Sequence, residues 1–283
     1  MNELNNDGGG LKEYVPSCTE GSGLHVSFAG GAIQSFFNVG VASWMIRNMK
    51  RDELGMIYGI SGGALCGAWL LCASDAAGFE LTTNQYIKEW EEKVDRLGGR
   101  MALRRSLGYH RSLLERYLPK DAHKRCSGRL TVGMTNVKTR RLDSVSHFET
   151  REFLIDVLIA TMTIPLVNAC MPSKVNGRRY VDGGFVSNQI VCCEEVLVCS
   201  PFRRLRMPWT NSGLSPRRSI RGGRPILQAL NPYSDVRSQV REGVRFAQNY
   251  FDSPCLSSGA SQLGSLQVLE RLQLGEMEPT YSF

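Results

Sequence analysis

At 283 residues, with 42% hydrophobic and 22% charged side chains, the chain can bury a substantial core in one domain with appendages, and its make-up is that of an ordinary soluble globular protein. A formal charge of +7 favours an anionic partner, a membrane surface or a nucleic acid, and does not choose between them. A signal peptide, a bilayer-crossing segment and a disulfide framework are all disfavoured: the N-terminus lacks a basic-then-apolar pattern, the most apolar stretch (Ala64 to Ala73) falls short of the roughly 20 residues a bilayer needs, and nine scattered cysteines without C-x-x-C spacing read as free thiols.

In chain order, residues 1–23 are polar, carry the consecutive glycines Gly8 to Gly10, and read as a flexible leader. Leu24 to Ala29 alternates as a strand does and runs into Gly30-Gly31-Ala32. A helix is predicted over Ile33 to Met49, with Phe36, Phe37, Val39, Val41, Trp44 and Met45 as its broad apolar face. A strand over 56–60 leads into Gly59-Ile60-Ser61-Gly62-Gly63, and a small-residue helix over 62–76 follows. The charged stretch 84–118 reads as helical, anchored by residues such as Trp90, Val94 and Leu113, and Pro119 stops it.

Beyond it, strands over Arg129 to Val137 and Leu142 to Phe148 flank the basic turn Lys138 to Arg141. A helix over Glu149 to Thr161 ends near Pro165. Arg179 to Asp182 is a short strand broken by Gly183 and Gly184, and Glu195 to Cys199 is another, with the pair Cys192-Cys193 read as apolar strand filling. From Val196 to Ser234 there is no acidic residue, and arginines stand at 203, 204, 206, 217, 218, 221 and 224. That stretch reads as an exposed, mobile insertion and as a candidate contact for anionic lipid. A helix over Asp235 to Phe251 follows, and the tail places Leu263, Leu266, Leu269 and Leu272 at helical spacing. Strands alternating with helices predict an α/β fold with a mostly parallel sheet.

Gly-x-Ser-x-Gly between a strand and a helix is the pattern of a nucleophile elbow, in which flanking glycines let the backbone turn sharply and lift a serine oxygen to the positive end of a helix. The same pattern also serves as a tight turn with a capping serine. Ser61 as nucleophile needs a base. The four histidines are His25, His110, His123 and His147, and none follows Asp182, so the serine, acid, histidine order of the α/β-hydrolases cannot be built with that acid. His147 sits in an alternating stretch and reads as structural. A serine–aspartate dyad is the simple solution left. Asp182 lies where an apolar strand becomes the Gly183-Gly184 loop, a setting that desolvates a carboxylate and makes it a better proton acceptor, although an Asp-Gly turn is common by itself. Gly30, Gly31 and Ala32, between a strand and a helix, together with Gly62, offer backbone N–H groups for an oxyanion. Neither Walker spacing nor Gly-x-Gly-x-x-Gly is met, which disfavours a nucleotide phosphate loop.

These elements, in this order, resemble the patatin-like phospholipase domain, most closely the adipose triglyceride lipase and adiponutrin branch. The resemblance rests on Ser27-Phe-Ala-Gly-Gly31 continuing to Ser43, the Ser61 elbow, Leu118 to His123, Ser127 to Leu130, Ser146-His-Phe148, Arg179 to Gly184 with Asn188, Ser200-Pro-Phe202, and Arg241 to Phe246. It implies a three-layer α/β/α fold and a lipid acyl hydrolase of triacylglycerol lipase or phospholipase A type. Ser61 would attack the ester carbonyl, Asp182 would take its proton, and Gly30, Gly31, Ala32 and Gly62 would hold the oxyanion, with Gly59, Gly63, Gly183 and Gly184 shaping the turns and no cofactor or metal required. Acyl transfer between glycerolipids and regulation of a lipase by a catalytically weak lipid binder are the alternatives.

The implied partners are a lipid ester, an anionic membrane or lipid-droplet surface and an activator protein, with no nucleic acid; the implied location is cytoplasmic and peripheral on lipid, not secreted. The implied organisation is a leader (1–23), a catalytic domain (24–252) containing the basic mobile insertion 201–224, and a polar, amphipathic tail (253–283). The family loop reads Gly-x-Gly-x-x-Gly, and Ala32 and Ser35 stand here at its second and third glycines. If position 32 is left-handed, alanine strains it and impairs the oxyanion site; if not, the change costs little. The proline usual after Asn188 is also absent, with Gln189-Ile190 in its place.

Overall fold

The computed structural model describes residues 23–202, 218–225 and 228–253. The chain divides into two units, Met1–Ala247 and Gln248–Phe283. The first is built on β1 (Leu24–Phe28), β2 (Leu54–Ile60), β3 (Leu130–Asn136), β4 (Leu142–Val145), β5 (Ser173–Val175), β6 (Arg178–Asp182), β7 (Leu197–Phe202) and β8 (Arg218–Arg224), which form one sheet in the order β5-β6-β3-β2-β1-β7-β8, with β4 also paired to β3. The pairs β1–β2, β1–β7, β2–β3 and β7–β8 are parallel; β4, β5 and β6 add antiparallel pairs on one side. Helices α1 (Phe36–Asn48), α2 (Gly62–Cys72), α3 (Ala76–Leu97), α4 (Gly99–Arg104), α5 (Ser106–Tyr117), α6 (Ala122–Cys126), α7 (Arg151–Thr161) and α8 (Val236–Phe251) complete the described elements. The mostly parallel sheet with its helices is the three-layer α/β/α architecture read from the sequence.

Alternation along β2 explains why it is apolar throughout. Met56, Tyr58 and Ile60 join Ile190, Val196 and Val198 in a buried cluster on one face. On the other face a Cβ added to Gly67 of α2 would lie 2.8 Å from Ile57, and one added to Gly59 only 2.4 Å from the Ala64 Cα, so helix and strand meet almost backbone to backbone. Successive strands β1, β2 and β3 step outward one way, and β7 and β8 step the other. The reversal of direction leaves a crevice beyond the carboxyl end of β1, the place where open α/β sheets hold ligands.

Several expected bounds change for physical reasons. The helix from Ile33 begins as a 3-10 turn over Ala32–Ser35 before α1. The helical stretch 84–118 is three helices starting at residue 76, where Asp75 caps α3 by accepting the Gly78 N–H at 2.7 Å. It breaks at Gly98, whose φ is +73° and after which the Gly99 N–H donates to the Tyr233 hydroxyl at 2.9 Å, and again at Arg105 between α4 and α5. The insertion expected over 201–224 is shorter at both ends: Pro201 and Phe202 finish β7, and 218–224 is the edge strand β8. Arg218 pairs there with Glu195 at 3.7 Å and Arg224 with Glu242 at 2.8 Å. Arg203, Arg204, Arg206 and Arg217, the leader and the tail leucines lie outside the described residues.

Cys66, Cys72, Cys126, Cys170, Cys193 and Cys199 are free thiols, whereas Cys192 is disulfide-bonded, which corrects its reading. Cys192 and Cys193 precede β7 rather than lying in a strand, and both pack against the Met56–Tyr58–Ile60 cluster. Among the described residues no helix is long and apolar enough to cross a membrane.

Candidate active site

Ser61 occupies the single-residue corner between β2 and α2, with φ +53° and ψ −132°. That backbone is costly for a non-glycine residue, and strain of this kind clusters at functional sites. The glycines beside it explain how the corner closes: a Cβ on Gly63 would stand 2.3 Å from the Phe28 carbonyl oxygen. The Ser61 N–H donates to Thr161 Oγ1 at 2.9 Å, and the Thr161 hydroxyl in turn donates to the Gly133 carbonyl at 2.6 Å. The Ser61 side chain makes no capping bond to α2. The capping reading of this serine therefore falls, and its hydroxyl instead lies near enough to the Asp182 carboxylate to favour that group's ionised form.

Asp182 ends β6, where its own N–H is held by the Thr163 carbonyl at 2.7 Å. Its carboxylate also accepts the Gly184 N–H at 2.8 Å. Burial pushes its pKa from 3.8 up to about 6, against the opposing pull of the bonds from Ser61 and Gly184. At neutral pH such a carboxylate is ionised yet basic enough to take a proton from a hydroxyl as that hydroxyl attacks.

The loop after β1 closes over this pair: a Cβ on Gly30 would lie 3.2 Å from the Ser61 Cβ. Gly30 was expected to supply an oxyanion donor, but its N–H is committed to the Asn188 carbonyl at 3.0 Å, while Asn188 Nδ2 donates to the Gly30 carbonyl at 2.9 Å. The N–H groups of Gly31 and Ala32 have no acceptor among the described residues. The Gly62 N–H lies in the first turn of α2, where helix donors have no intrahelical partner. Position 32 is left-handed, with φ +46°, so alanine adopts the backbone that the family pattern assigns to glycine. The loop keeps its shape and alanine bears the strain.

Ser61 and Gly62 line a cleft of about 680 Å³, counting its open mouth, which is walled by apolar side chains including Phe36, Val39, Leu65 and Met162. Its apolar wall is of a kind that suits an acyl chain. His110, which carried no motif in the sequence, is on the wall of the same cleft. Its Nδ1 pairs with the Tyr86 hydroxyl at 3.0 Å, its ring stacks on Trp90, and burial lowers its pKa to about 4, so it is neutral above that pH. His147 is exposed beyond β4, and His25 is buried with Nδ1 accepting the Met56 N–H. The partners of Asp182 among the described residues are Ser61, Gly184 and no histidine.

The mouth of the cleft has an unusual edge. Ile164, Val167 and Asn168 line it, and between them Leu166 is 96% exposed at φ +68°. The turn is stapled by Asn168, whose Oδ1 accepts the Ile164 N–H at 2.8 Å and whose Nδ2 donates to the Met162 carbonyl at 2.9 Å. Met171 is exposed a few residues on, and half-exposed Leu230 lies on the cleft wall.

The comparisons with known proteins place the chain in a family. The model of the Patatin-like phospholipase family matches residues 26–191, from β1 to just past Asp182 and Asn188. Human patatin-like phospholipase domain-containing protein 4 is 30% identical over 63% of this chain and 72% of its own length. Human patatin-like phospholipase domain-containing protein 2 is 30% identical over 63% of this chain but only 36% of its own, and human omega-hydroxyceramide transacylase is 28% identical over 58% and 31%. Of solved structures, VipD from Legionella pneumophila superposes with a TM-score of 0.43 at 14% identity, covering 82% of this chain and 67% of VipD. With the family model spanning more than half the chain, this protein belongs to the patatin-like phospholipase family, in the adipose triglyceride lipase and adiponutrin branch.

Proposed function

We propose that this protein hydrolyses carboxylic esters of lipids with Ser61 as nucleophile and Asp182 as its only base. The juxtaposition of the buried Ser61 hydroxyl with the buried Asp182 carboxylate, whose pKa it helps to hold down, carries the reading. Ser61 Oγ attacks the ester carbonyl as its proton passes to Asp182, and the negative charge on the carbonyl oxygen falls toward the N–H groups of Gly31, Ala32 and Gly62. Asp182 then protonates the departing alcohol, takes a proton from water, and the resulting attack releases the fatty acid and restores Ser61. The apolar wall accommodates the acyl chain, and the exposed Leu166 edge supports action at a lipid surface.

The test is turnover by purified wild type beside Ser61→Ala and Asp182→Asn, on dispersed triolein, a phospholipid and a soluble short-chain ester. Loss of nearly all activity in both folded variants is the expected result, and the preferred ester names the substrate class. Folded wild type inert on all three esters would overturn it and favour a lipid-binding regulator. A second reading, acyl transfer to another lipid, draws support from a relative named a transacylase and another, from mouse, named 1-acylglycerol-3-phosphate O-acyltransferase. An alcohol then replaces water in the last step.

A further inference from the structure

We propose that the hydroxyl of Ser35 is a fourth donor to the oxyanion, beside the three N–H groups; the proposal rests on the hydrolase reading above. Ser35 closes the 3-10 turn after Ala32 and is 6% exposed. Its Oγ is buried without a hydrogen-bond partner among the described residues, although Ser35 lines the same cleft as Ser61 and Gly62. Its position between the two donor peptides is fixed by steric proximity: a Cβ on Gly62 would lie 2.5 Å from Ser35 Oγ, and one on Gly31 would lie 3.2 Å from it. The hydroxyl therefore sits against both the Gly31 and the Gly62 segments, whose N–H groups the hydrolase reading assigns to the oxyanion.

A buried hydroxyl with no acceptor is a liability for folding, because its desolvation is uncompensated. Such a group is explicable where an acceptor arrives only during the reaction. An ester carbonyl attacked by Ser61 becomes an alkoxide, and a neutral O–H already stripped of water in the cleft wall gains most from that developing charge. Ser35 keeps its proton throughout. It contributes a hydrogen bond while Asp182 alone moves protons. The glycine that the family pattern places here offers no such donor, so the departure at position 35 would be a compensation beside strained Ala32 rather than a loss.

Ser35→Ala and Ser35→Gly separate this from a passive substitution. Each variant is assayed on the soluble ester for kcat and KM, for the rate at which a fluorophosphonate labels Ser61, and for Tm. A donor role predicts that kcat and labelling both fall tenfold or more, with KM unchanged and Tm unchanged or raised. If either variant matches or exceeds wild type in kcat and labelling, the proposal fails alone and Ser35 is a passive or obstructive replacement of glycine. If folded wild type neither turns over nor labels, the hydrolase reading fails and takes this proposal with it.

Discussion

Asn188 and Gly30 hold each other twice, the side chain donating to the Gly30 carbonyl at 2.9 Å and the Gly30 N–H donating to the Asn188 carbonyl at 3.0 Å. The clasp ties the loop after β1, which carries Gly31 and Ala32, to the loop that follows Asp182. Asn188→Ala should leave the protein folded and lower kcat about ten- to a hundredfold, since small displacements of the reacting groups are costly. Asn188→Asp removes the donor and adds a negative charge near Asp182, so the acid limb of its pH–rate profile should move to higher pH. An unchanged kcat for both would mean that the loops hold their places without the clasp.

The pH dependence follows from Asp182. With its pKa pushed up to about 6, kcat/KM should fall as pH drops below about 6, approaching tenfold per unit. His110, already neutral there because its pKa is about 4, should leave that limb in place when changed to Gln. Stability runs the other way. The folded pKa is above the ordinary 3.8, so holding Asp182 ionised costs about 3 kcal/mol above pH 6, a cost that fades as pH falls from about 6 toward 3.8. Asp182→Asn should therefore raise Tm at pH 8, raise it less at pH 5, and abolish turnover at both.

The left-handed alanine gives a stability prediction of definite sign. Ala32→Gly removes the steric penalty at φ +46° and should stabilise the protein by about 1 kcal/mol, a few degrees in Tm, without loss of kcat. A fall in Tm would show that the flexibility gained by the unfolded chain outweighs the strain relieved.

Thr161 holds the elbow from the end of α7 through the Ser61 N–H. Thr161→Val strands the Ser61 N–H and should cost about 1–3 kcal/mol of stability together with kcat, while Thr161→Ser restores both. Full activity in a folded Thr161→Val variant would show that the corner holds itself.

The Leu166 edge predicts a split between substrates. Leu166→Asp should leave hydrolysis of the soluble ester unchanged and lower turnover of dispersed triolein and binding to phospholipid vesicles several-fold, because the side chain is 96% exposed and its loss disturbs no packing. Equal activity on both substrates would remove this turn from any surface contact. Arg218 and Arg224 are engaged with Glu195 and Glu242, which weakens both as candidates for a lipid contact.

The elbow was legible in the sequence because its glycines mark places where backbones nearly touch: Gly59 against Ala64, and Gly63 against Phe28. Such demands leave a local trace. The Asp182 loop was legible for a similar reason, at the end of a strand. Strand β8 was not, because only Ile220 and Gly222 are buried among its arginines and glycines, and a charged edge strand reads as a loop. Thr161 and His110 reach the site by long-range packing, one bonding to a residue a hundred positions earlier and the other entering a cleft wall from a helix. Neither carries a spacing signal. The conformation of Ala32 was illegible in principle, since a glycine pattern tells which backbones are allowed and not which one is adopted.

Three of the five non-glycine residues with positive φ among those described, Ala32, Ser61 and Leu166, surround one opening, while Arg140 and Asn176 sit in hairpin turns elsewhere. The opening is thus the part of the molecule with most to gain by letting go, and the sheet behind it has no comparable tension. Warming should silence the protein before it melts it, with catalysis lost reversibly several degrees below the collapse of the β1–β2–β3 core.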